Sequence, residues 1–536
     1  MEYREYMDAV TKLIDDMNEE EKTEWLFAYA KSISNQDRER FVNDLKSIKK
    51  QDKNFNKTEF DCFIKDINDK KSIIIYEEYY DYGYEDDFEI DYYDNDCIGR
   101  KSKYYFEIAN DLLFSYHFDD AYYIYSHLFA LDIILRNEEI DENEYITFIE
   151  LIEKDIVHIN ALEFLKGYGY LLLLIEKDCN NFYQVLNSCY SISIDDLLSY
   201  GPKKIDNIDI FIDKWIHYLM KMSGDKAASL LINACLYSGD VNQLLNVCRE
   251  CYQLHPSLYK KVCQLYIENK NYQQAKIVAK EACEKIVGDL RIKAEISDLI
   301  LSFEKDAYFL NMAFIYNPTV SHYFDAFLHL ENIEKLKNEF MSHSYTKNNN
   351  YDYKNYQNTT TFLEDSTKDI LYFLFGNYDC IIQKYMKYSF NNNHFYRGYI
   401  MSLLLMLLKP ESNTYVADKN IYSFLTSGTN YHSVDGLLFE ECYQKWKKKN
   451  PIDYHKRKEY ISWLTQEIEN EVKIVVGGGD RRNYHKVADK IVVLGEILQN
   501  IGMVSSVEVY CEKYKKLYFS KRAFKNELNE RMRLVR

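Results

Sequence analysis

Three cysteines and a histidine in the middle of the chain have a spacing that could bind zinc. The candidate ligands are Cys248, Cys251, His255 and Cys263. Thiolates and imidazoles are the usual ligands of structural zinc sites, which are often built from such short spacings. The alternative is that the cysteines are packing residues, because free cysteine behaves as a small hydrophobe inside proteins. Comparison with the neighbouring helical repeats favours packing, so we predict no metal site here.

A second candidate for chemistry is the stretch KIVVGGGDRRNYHKVADKIV, which begins at Lys473. Three consecutive glycines between an apolar run and a helix start could bind the phosphates of a nucleotide. A dinucleotide turn, however, follows a strand and has the spacing G-x-G-x-x-G, and a P-loop ends in Lys-Ser or Lys-Thr. Neither pattern is present here. We therefore predict no cofactor and interpret Gly477 to Gly479 as a helix end followed by a tight turn.

Apolar residues on both sides of the glycines recur at helical spacing. They are Ile461, Leu464, Ile468, Val472 and Val475 before the turn, and Tyr484, Ala488, Ile491, Leu494 and Leu498 after it. Steps of three and four residues place each set on one face of a helix. Asp480 or Asn483 can cap the second helix. The sequence therefore predicts two helices joined by the glycine turn.

Helical spacing also occurs in four short segments that begin with a polar or Gly-containing turn. Their apolar positions are Phe118, Ala121, Tyr125 and Leu128; Val241, Leu244, Cys248 and Cys251; Tyr272, Ala275, Ala279 and Ala282; and Tyr378, Ile381, Tyr385 and Tyr388. This spacing predicts the second helix of a helical hairpin, packed back on the first. The two cysteines hold the places that two alanines take in the next segment, which is why we interpret them as packing residues.

At these residues the chain resembles the tetratricopeptide (TPR) family, whose consensus turn reads like G-x-Y-x-x-A and whose second helix is followed by a proline. Pro256 matches that proline. The resemblance implies helical hairpins that stack into a solenoid, and families of this kind serve mainly as protein-interaction scaffolds. We therefore expect an all-α fold, a right-handed TPR-like α-solenoid with helical N- and C-terminal modules.

The composition agrees with an all-α fold. Only 5 prolines and 17 glycines occur in 536 residues, which leaves few obligatory helix breaks. The 12 cysteines follow no secreted disulfide spacing, and the first residues contain no apolar signal segment. The most apolar segments are shorter than the roughly 20 residues needed to cross a bilayer. We expect a protein of the bacterial cytoplasm that does not span a membrane.

Charge is distributed unevenly along the chain, whose formal net charge is −18. The segment from Tyr76 to Asp96 contains ten Asp or Glu, seven Tyr and no Lys or Arg, whereas residues 441–536 contain 21 Lys or Arg against 13 Asp or Glu. The acidic segment could mimic a nucleic acid or contact a basic partner, or it could be a solvated connector. A further hypothesis is that it rests on the basic surface of its own chain or of a second copy.

Residues in these two charged regions are the candidates for partner binding. They are Tyr79, Tyr80, Tyr82, Tyr84, Asp86, Asp87, Lys447, Lys448, Lys449, Arg481, Arg482 and Arg522. The aromatic and acidic members could contact a basic partner. The cationic members could contact an acidic protein or the phosphates of a nucleic acid.

The C-terminal stretches RRNYHKVADKIVVLGEIL and YFSKRAFKNELNERM carry a second resemblance. They resemble the C-terminal helical module of bacterial proteins associated with the SWIM zinc finger. The matching residues are Arg481, Tyr484 and Ala488 in the first stretch, and Arg522, Phe524 and Leu528 in the second. The C-x-C…C-x-H finger itself is absent, so the resemblance implies neither its zinc binding nor its nucleic-acid binding.

These features divide the chain into four parts. Residues 1–70 are predicted to form an N-terminal helical segment, 71–100 an acidic tyrosine-rich connector, 101–440 the repeats with a polar loop at 343–361, and 441–536 a basic helical module. Because no catalytic motif is present, we predict a non-enzymatic protein-interaction scaffold with a protein partner. The alternative is a nucleic-acid-linked defence or regulatory protein that binds RNA or DNA through the basic module.

Overall fold

The computed structural model describes residues 13, 17–33, 38, 41, 55–80, 88–137, 142–187, 191–342, 365–387, 394–411 and 414–535. The chain divides into two compact units, Met1–Leu258 and Tyr259–Arg536. The polar loop predicted at 343–361 lies outside the described residues, as does much of the predicted N-terminal segment.

Helices dominate the described residues, which agrees with the predicted fold class. They are α1 Glu19–Ser32, α2 Lys57–Asn68, α3 Ile98–Phe114, α4 Phe118–Phe129, α5 Phe148–Glu153, α6 Ala161–Ile175, α7 Cys179–Leu186, α8 Ile194–Leu198, α9 Ile208–Leu219, α10 Asp225–Ser238, α11 Val241–Cys251, α12 Ser257–Glu268, α13 Tyr272–Lys285, α14 Leu290–Leu301, α15 Ala307–Tyr316, α16 Val320–His329, α17 Glu334–Ser342, α18 Asp365–Leu374, α19 Tyr378–Lys387, α20 His394–Leu408, α21 Val416–Gly428, α22 Phe439–Lys449, α23 Tyr454–Val472, α24 Tyr484–Asn500, α25 Val507–Leu517 and α26 Arg522–Arg531. None of these helices is both long enough and apolar enough to cross a membrane.

The four segments with hairpin spacing form helices α4, α11, α13 and α19, each beginning at the first residue of the pattern. Their inner positions are buried, and these are Ala121, Tyr125, Leu128, Leu244, Cys248, Cys251, Ala275, Ala279, Ala282, Ile381 and Tyr385. Helix α4 packs on α3, α11 on α10, and α19 on α18, as expected for the second helix of a hairpin. The prediction of helical hairpins is therefore confirmed for α4, α11 and α19, whereas the pairing of α13 with α12 and the handedness of a solenoid stay predictions. Tyr388, the last position of the fourth pattern, lies outside the described residues.

A small sheet in the first unit is a feature that the all-α prediction missed. Its strands are β1 Ile74–Tyr80, β2 Phe88–Tyr93, β3 Asp132–Asn137 and β4 Glu142–Thr147, in the spatial order β2-β1-β3-β4. The two outer pairs are antiparallel, and β1 pairs with β3 in parallel. Strands β1 and β2 come from the acidic segment, whose isoleucines and tyrosines have high strand propensity. The segment was predicted to be a connector because its charge was weighed above that propensity.

The core of the second unit is built around α24, which is buried along most of its length. Helices α21, α23, α25 and α26 pack against it. The hydrophobic core extends without interruption from α15 to α26, so the basic C-terminal helices share it with helices that precede them in the chain. This packing fixes the ends of α23, α24 and α26, near which Arg481, Arg482 and Arg522 lie.

Candidate anion-binding surface of the C-terminal helices

The glycine turn joins two helices, as the apolar spacing predicted. Helix α23 continues as a short π-helix over Lys473–Gly477, and Gly479 then adopts φ +81°. The amide of Asp480 donates to the carbonyl of Val475 over 2.9 Å, which satisfies a helix-end carbonyl. A left-handed residue just after a helix is the conformation for which glycine is best suited. The interpretation as a helix end is confirmed.

Two arginines project from the residues that follow the glycines. Arg481 and Arg482 lie in a single 3₁₀ turn, Arg481–Asn483, before α24 begins. The turn is fixed from inside, because the side-chain amide of Asn483 donates to Asp480 Oδ2 over 2.7 Å. Both arginines are exposed, and the Arg482 side chain is 97% accessible with its Nε 4.0 Å from Asp480 Oδ1. Their guanidinium groups therefore face solvent.

Aromatic packing brings the start of α26 to the same place. The rings of Tyr484, at the first turn of α24, and Phe524, at the first turn of α26, lie 5.7 Å apart and are both buried. Arg522, two residues before Phe524, is exposed. Lys521 lies beside the turn, because its Nζ would be 3.6 Å from a Cβ built on Gly479. Lys521 directly precedes Arg522 in the chain but is not one of the residues predicted from the sequence to bind a partner.

We call Arg481, Arg482, Lys521 and Arg522 the cationic surface. Among the described residues, Arg481 and Arg522 take part in no ion pair within 4.0 Å. The turn beside them is open, since Gly477 and Gly478 are exposed and a Cβ on either would meet no atom within 4 Å. Four cations around an accessible backbone turn form a region that attracts anions.

Buried polar contacts hold the helices under this surface in register. Arg531 of α26 places its Nε 3.0 Å from Asp489 Oδ1 on α24, and Asn420 of α21 donates to the same oxygen over 3.0 Å. Burial raises the pKa of Asp489 to about 7. Lys490 pairs with Glu471 of α23 at 2.6 Å, and both side chains are buried. Helices α21, α23 and α26 are thus tied to α24 by polar and charged groups as well as by packing.

The three predicted lysines of α22 have contacts of their own. Lys447 Nζ donates to the carbonyls of Met406 and Lys409 over 2.9 and 2.6 Å, and burial lowers its pKa to about 8. Lys449 Nζ lies 4.8 Å from the ring centre of Phe327, a cation–π contact. Lys448 is exposed and lies 3.7 Å from Glu411. A structural role thus accounts for Lys447, and partner binding by these lysines stays a prediction.

Only two of the six tyrosines and aspartates predicted to bind a partner lie among the described residues. Tyr79 and Tyr80 end strand β1. The other members, Tyr82, Tyr84, Asp86 and Asp87, lie outside the described residues. The hypothesis that the acidic segment rests on the basic surface stays a prediction.

The zinc candidates of the sequence are engaged in packing. Cys248 and Cys251 are buried on α11, and the Cys251 thiol donates to the carbonyl of Val247 over 3.1 Å. His255 is buried, with its Nε2 3.1 Å from the carbonyl of Leu219 at the end of α9. Burial lowers the pKa of His255 and raises that of Cys251 to about 11. The neutral forms that result suit helix packing.

No known protein family matches this chain, and neither does any curated protein or solved structure compared with it. The TPR resemblance and the resemblance to SWIM-associated proteins therefore stay predictions from the sequence.

Proposed function

We propose that this protein is a non-enzymatic scaffold of the bacterial cytoplasm that binds an acidic protein partner through its cationic surface. The observation that carries the proposal is the convergence of Arg481, Arg482, Lys521 and Arg522 at one open turn. In a chain of formal charge −18, three exposed arginines beside a half-buried lysine are a local exception. Repulsion from the rest of the chain would favour partners with a matching local acidic patch over uniformly acidic proteins.

The hairpin framework supports the scaffold part of the proposal. Helices α4, α11, α13 and α19 bury their inner positions and expose their polar sides. Stacked helical hairpins present extended surfaces rather than enclosed pockets, which suits the binding of other proteins. The TPR-like, right-handed arrangement is part of this proposal. A reducing compartment suits the chain as well, because the cysteines of the described residues are free thiols.

Arginines at an open turn fit the recognition of carboxylates. A guanidinium group presents several donors in one plane and binds a carboxylate through two hydrogen bonds. Exposed ion pairs are worth only about 0 to 1 kcal/mol each, so four cations are expected to supply orientation and fast association more than tight binding. Apolar contacts elsewhere on the partner would then supply the remaining affinity.

The test is capture of partners by the full-length protein from nuclease-treated extracts of its source organism. The cationic-surface variant carries Arg481→Gln, Arg482→Gln and Arg522→Gln. The matched control carries Lys270→Gln, Arg291→Gln and Lys335→Gln, three exposed cations elsewhere in the same unit. We expect one acidic protein to be retained by the wild type and the control and lost from the cationic-surface variant. Equal recovery by all three proteins would contradict the proposal.

The second candidate function is binding of RNA or DNA at the same surface. It is favoured by the exposed glycines, because Gly477 and Gly478 leave room for a phosphate backbone to approach the turn. Binding of this kind releases counterions and therefore weakens steeply with salt. Titration of a labelled oligonucleotide with the full-length protein at several salt concentrations tests it. Binding that falls with salt and is lost in the cationic-surface variant would favour nucleic acid over an acidic protein.

A further inference from the structure

Three potential metal ligands meet in the second unit, outside the cationic surface. Asp325 and His329 are four residues apart on α16 and therefore lie on one face of the helix. Asp435 comes from the loop between α21 and α22. One ligand atom from each of these residues lies within 4.8 Å of the others. The Asp-x₃-His spacing is visible in the sequence, but only the fold brings the third ligand to it.

The individual distances describe a compact set of ligand atoms. His329 Nε2 is 2.7 Å from Asp435 Oδ2 and 3.9 Å from Asp325 Oδ1. Zinc binds nitrogen and oxygen ligands at about 2.0 to 2.2 Å, which places the ligand atoms of a tetrahedral site roughly 3.3 to 3.6 Å apart. Shifts of about 1 Å or less at each atom therefore suffice to admit an ion.

Lys305 contacts the two carboxylates on their other oxygens. Its Nζ is 2.8 Å from Asp325 Oδ2 and 3.5 Å from Asp435 Oδ1. The oxygens that face His329 are thus different from the two that face the ammonium group. Hydrogen bonds to the carboxylates that bind a metal orient these ligands, and the ammonium group of Lys305 can donate such bonds.

One of the three candidate ligand atoms is buried without a hydrogen-bond partner. Asp325 is 8% exposed, and its Oδ1 has no hydrogen-bond partner among the described residues. A buried carboxylate oxygen without a partner is costly, because its desolvation is not offset. This oxygen is the one directed towards His329, at 3.9 Å. A cation between them would supply the missing contact.

The loop that carries Asp435 is held in place by its own hydrogen bonds. The hydroxyl of Tyr431 donates to the carbonyl of Leu437 over 3.0 Å and accepts from the amide of Val434 over 3.2 Å. The amide of His432 donates to the Ser321 hydroxyl of α16 over 2.9 Å. Asp435 itself has φ +52° at the tip of the loop. The third ligand is therefore positioned before any ion binds.

We propose that Asp325 Oδ1, His329 Nε2 and Asp435 Oδ2 bind one divalent transition-metal ion of the zinc type. One imidazole with two carboxylates is a ligand set that suits zinc better than magnesium or calcium, which prefer oxygen ligands alone. Three protein ligands leave a fourth position for water or a partner's side chain. Bound metal would fasten the loop before α22 to α16. This inference is independent of the proposed binding at the cationic surface.

The test measures binding of Co²⁺ and Zn²⁺ by the chelator-treated full-length protein. Asp435→Asn is the informative variant, because Asn tolerates a left-handed backbone and removes only the anionic ligand. Asp298→Asn is the matched control, since Asp298 pairs with His322 at 3.0 Å without a third ligand in the described part of the chain. We expect one Co²⁺ per wild-type and control chain, with visible absorption of a four-coordinate ion, and at least tenfold weaker binding by Asp435→Asn.

A thermal readout separates this site from the 12 cysteines, which could bind metal without regard to the fold. Metal that binds the folded state and not the unfolded chain raises the melting temperature, by an amount that grows with the logarithm of the free metal concentration above its dissociation constant. We expect Zn²⁺ to raise the melting temperature of the wild type and the control but not that of Asp435→Asn. Equal stoichiometry and equal stabilisation in all three proteins, or no bound metal in the wild type, would overturn the proposal and leave a metal-free ion network with Lys305.

Discussion

The indole nitrogen of Trp446 donates a hydrogen bond to the hydroxyl of Tyr323 over 3.0 Å, in the buried core of the second unit. The Tyr323 hydroxyl in turn donates to the carbonyl of Leu374 over 2.7 Å, and the indole nitrogen lies 3.0 Å from the same carbonyl. This closed set of hydrogen bonds links α16, α18 and α22. Helix α16 carries Asp325 and His329, and α22 follows the loop that carries Asp435, so these hydrogen bonds hold together helices on both sides of the candidate metal site.

Replacement of the Trp446 indole by a smaller ring is expected to destabilise the second unit strongly. Trp446→Phe removes both hydrogen bonds and leaves a cavity, which is expected to cost about 2 to 4 kcal/mol of unfolding free energy. Tyr323→Phe removes a hydroxyl while Trp446 keeps Leu374 as its acceptor, so about 1 kcal/mol is expected. Urea unfolding followed by far-UV circular dichroism measures both. A Tyr323→Phe loss equal to or larger than that of Trp446→Phe would contradict this ranking.

The raised pKa of Asp489 predicts that its contribution to stability falls as the pH rises. Its carboxyl has a pKa of about 7 in the folded state, above its ordinary value of 3.8, so the folded state binds more protons between these values. Stability from this group is therefore present at low pH and lost as the pH rises towards 7. From pH 5 to pH 8 the loss is on the order of 2 kcal/mol.

Asp489→Asn tests this pH dependence, because Asn420 still has an oxygen acceptor and Arg531 keeps Glu527 at 3.0 Å. The stability of the variant relative to the wild type should improve steadily from pH 5 to pH 8. Denaturant unfolding at each pH gives the comparison. A stability difference that stays constant over this range would rule out the assignment.

Lys447 is expected to matter for stability rather than for partner binding. Lys447→Met leaves the carbonyls of Met406 and Lys409 without their donor, and about 1 to 3 kcal/mol of unfolding free energy should be lost. Lys448→Met, at a 67% exposed side chain, should change stability by less than about 0.5 kcal/mol. Calorimetric melting of the two variants provides the comparison, and equal melting temperatures would remove the structural role of Lys447.

We expect alanine substitutions at Gly479 and at Gly477 to affect stability differently. Gly479→Ala places a side chain at φ +81° and is expected to cost about 1 to 2 kcal/mol. Gly477→Ala lies in the π-helix with open space around its Cβ, so it should be neutral or slightly stabilising. Thermal unfolding distinguishes the two. Similar losses at both positions would show that the turn is not held by the left-handed residue.

The local periodicity of apolar residues predicted the helices, but it could not predict contacts between residues that are far apart in the sequence. Steps of three and four residues gave the inner, buried positions of α4, α11, α13 and α19, because side-chain direction in a helix depends on spacing, although Tyr272 at the start of α13 is exposed. Strands β1 and β2 were missed although they pair with each other locally, and the pairing of β1 with β3 joins residues far apart along the chain. The charge of the acidic segment, read alone, predicted a connector instead.

The candidate surface was predicted in part for the same reason. Arg481, Arg482 and Arg522 were identified from local charge, but their proximity follows from the contact between Tyr484 and Phe524 across two helices. Lys447 was grouped with its neighbours by charge although its ammonium group faces backbone carbonyls. The number of lysines in a segment does not show which ammonium groups are exposed and which donate to backbone carbonyls inside the protein.

The most direct test of the proposed scaffold is the affinity of the captured partner, purified and nuclease-free, for three forms of the full-length protein. The cationic-surface variant should bind at least tenfold more weakly than the wild type, and the affinity of the wild type should fall as salt rises. The control with Lys270→Gln, Arg291→Gln and Lys335→Gln should bind as the wild type does. Equal affinity of the cationic-surface variant and the wild type would contradict the central claim.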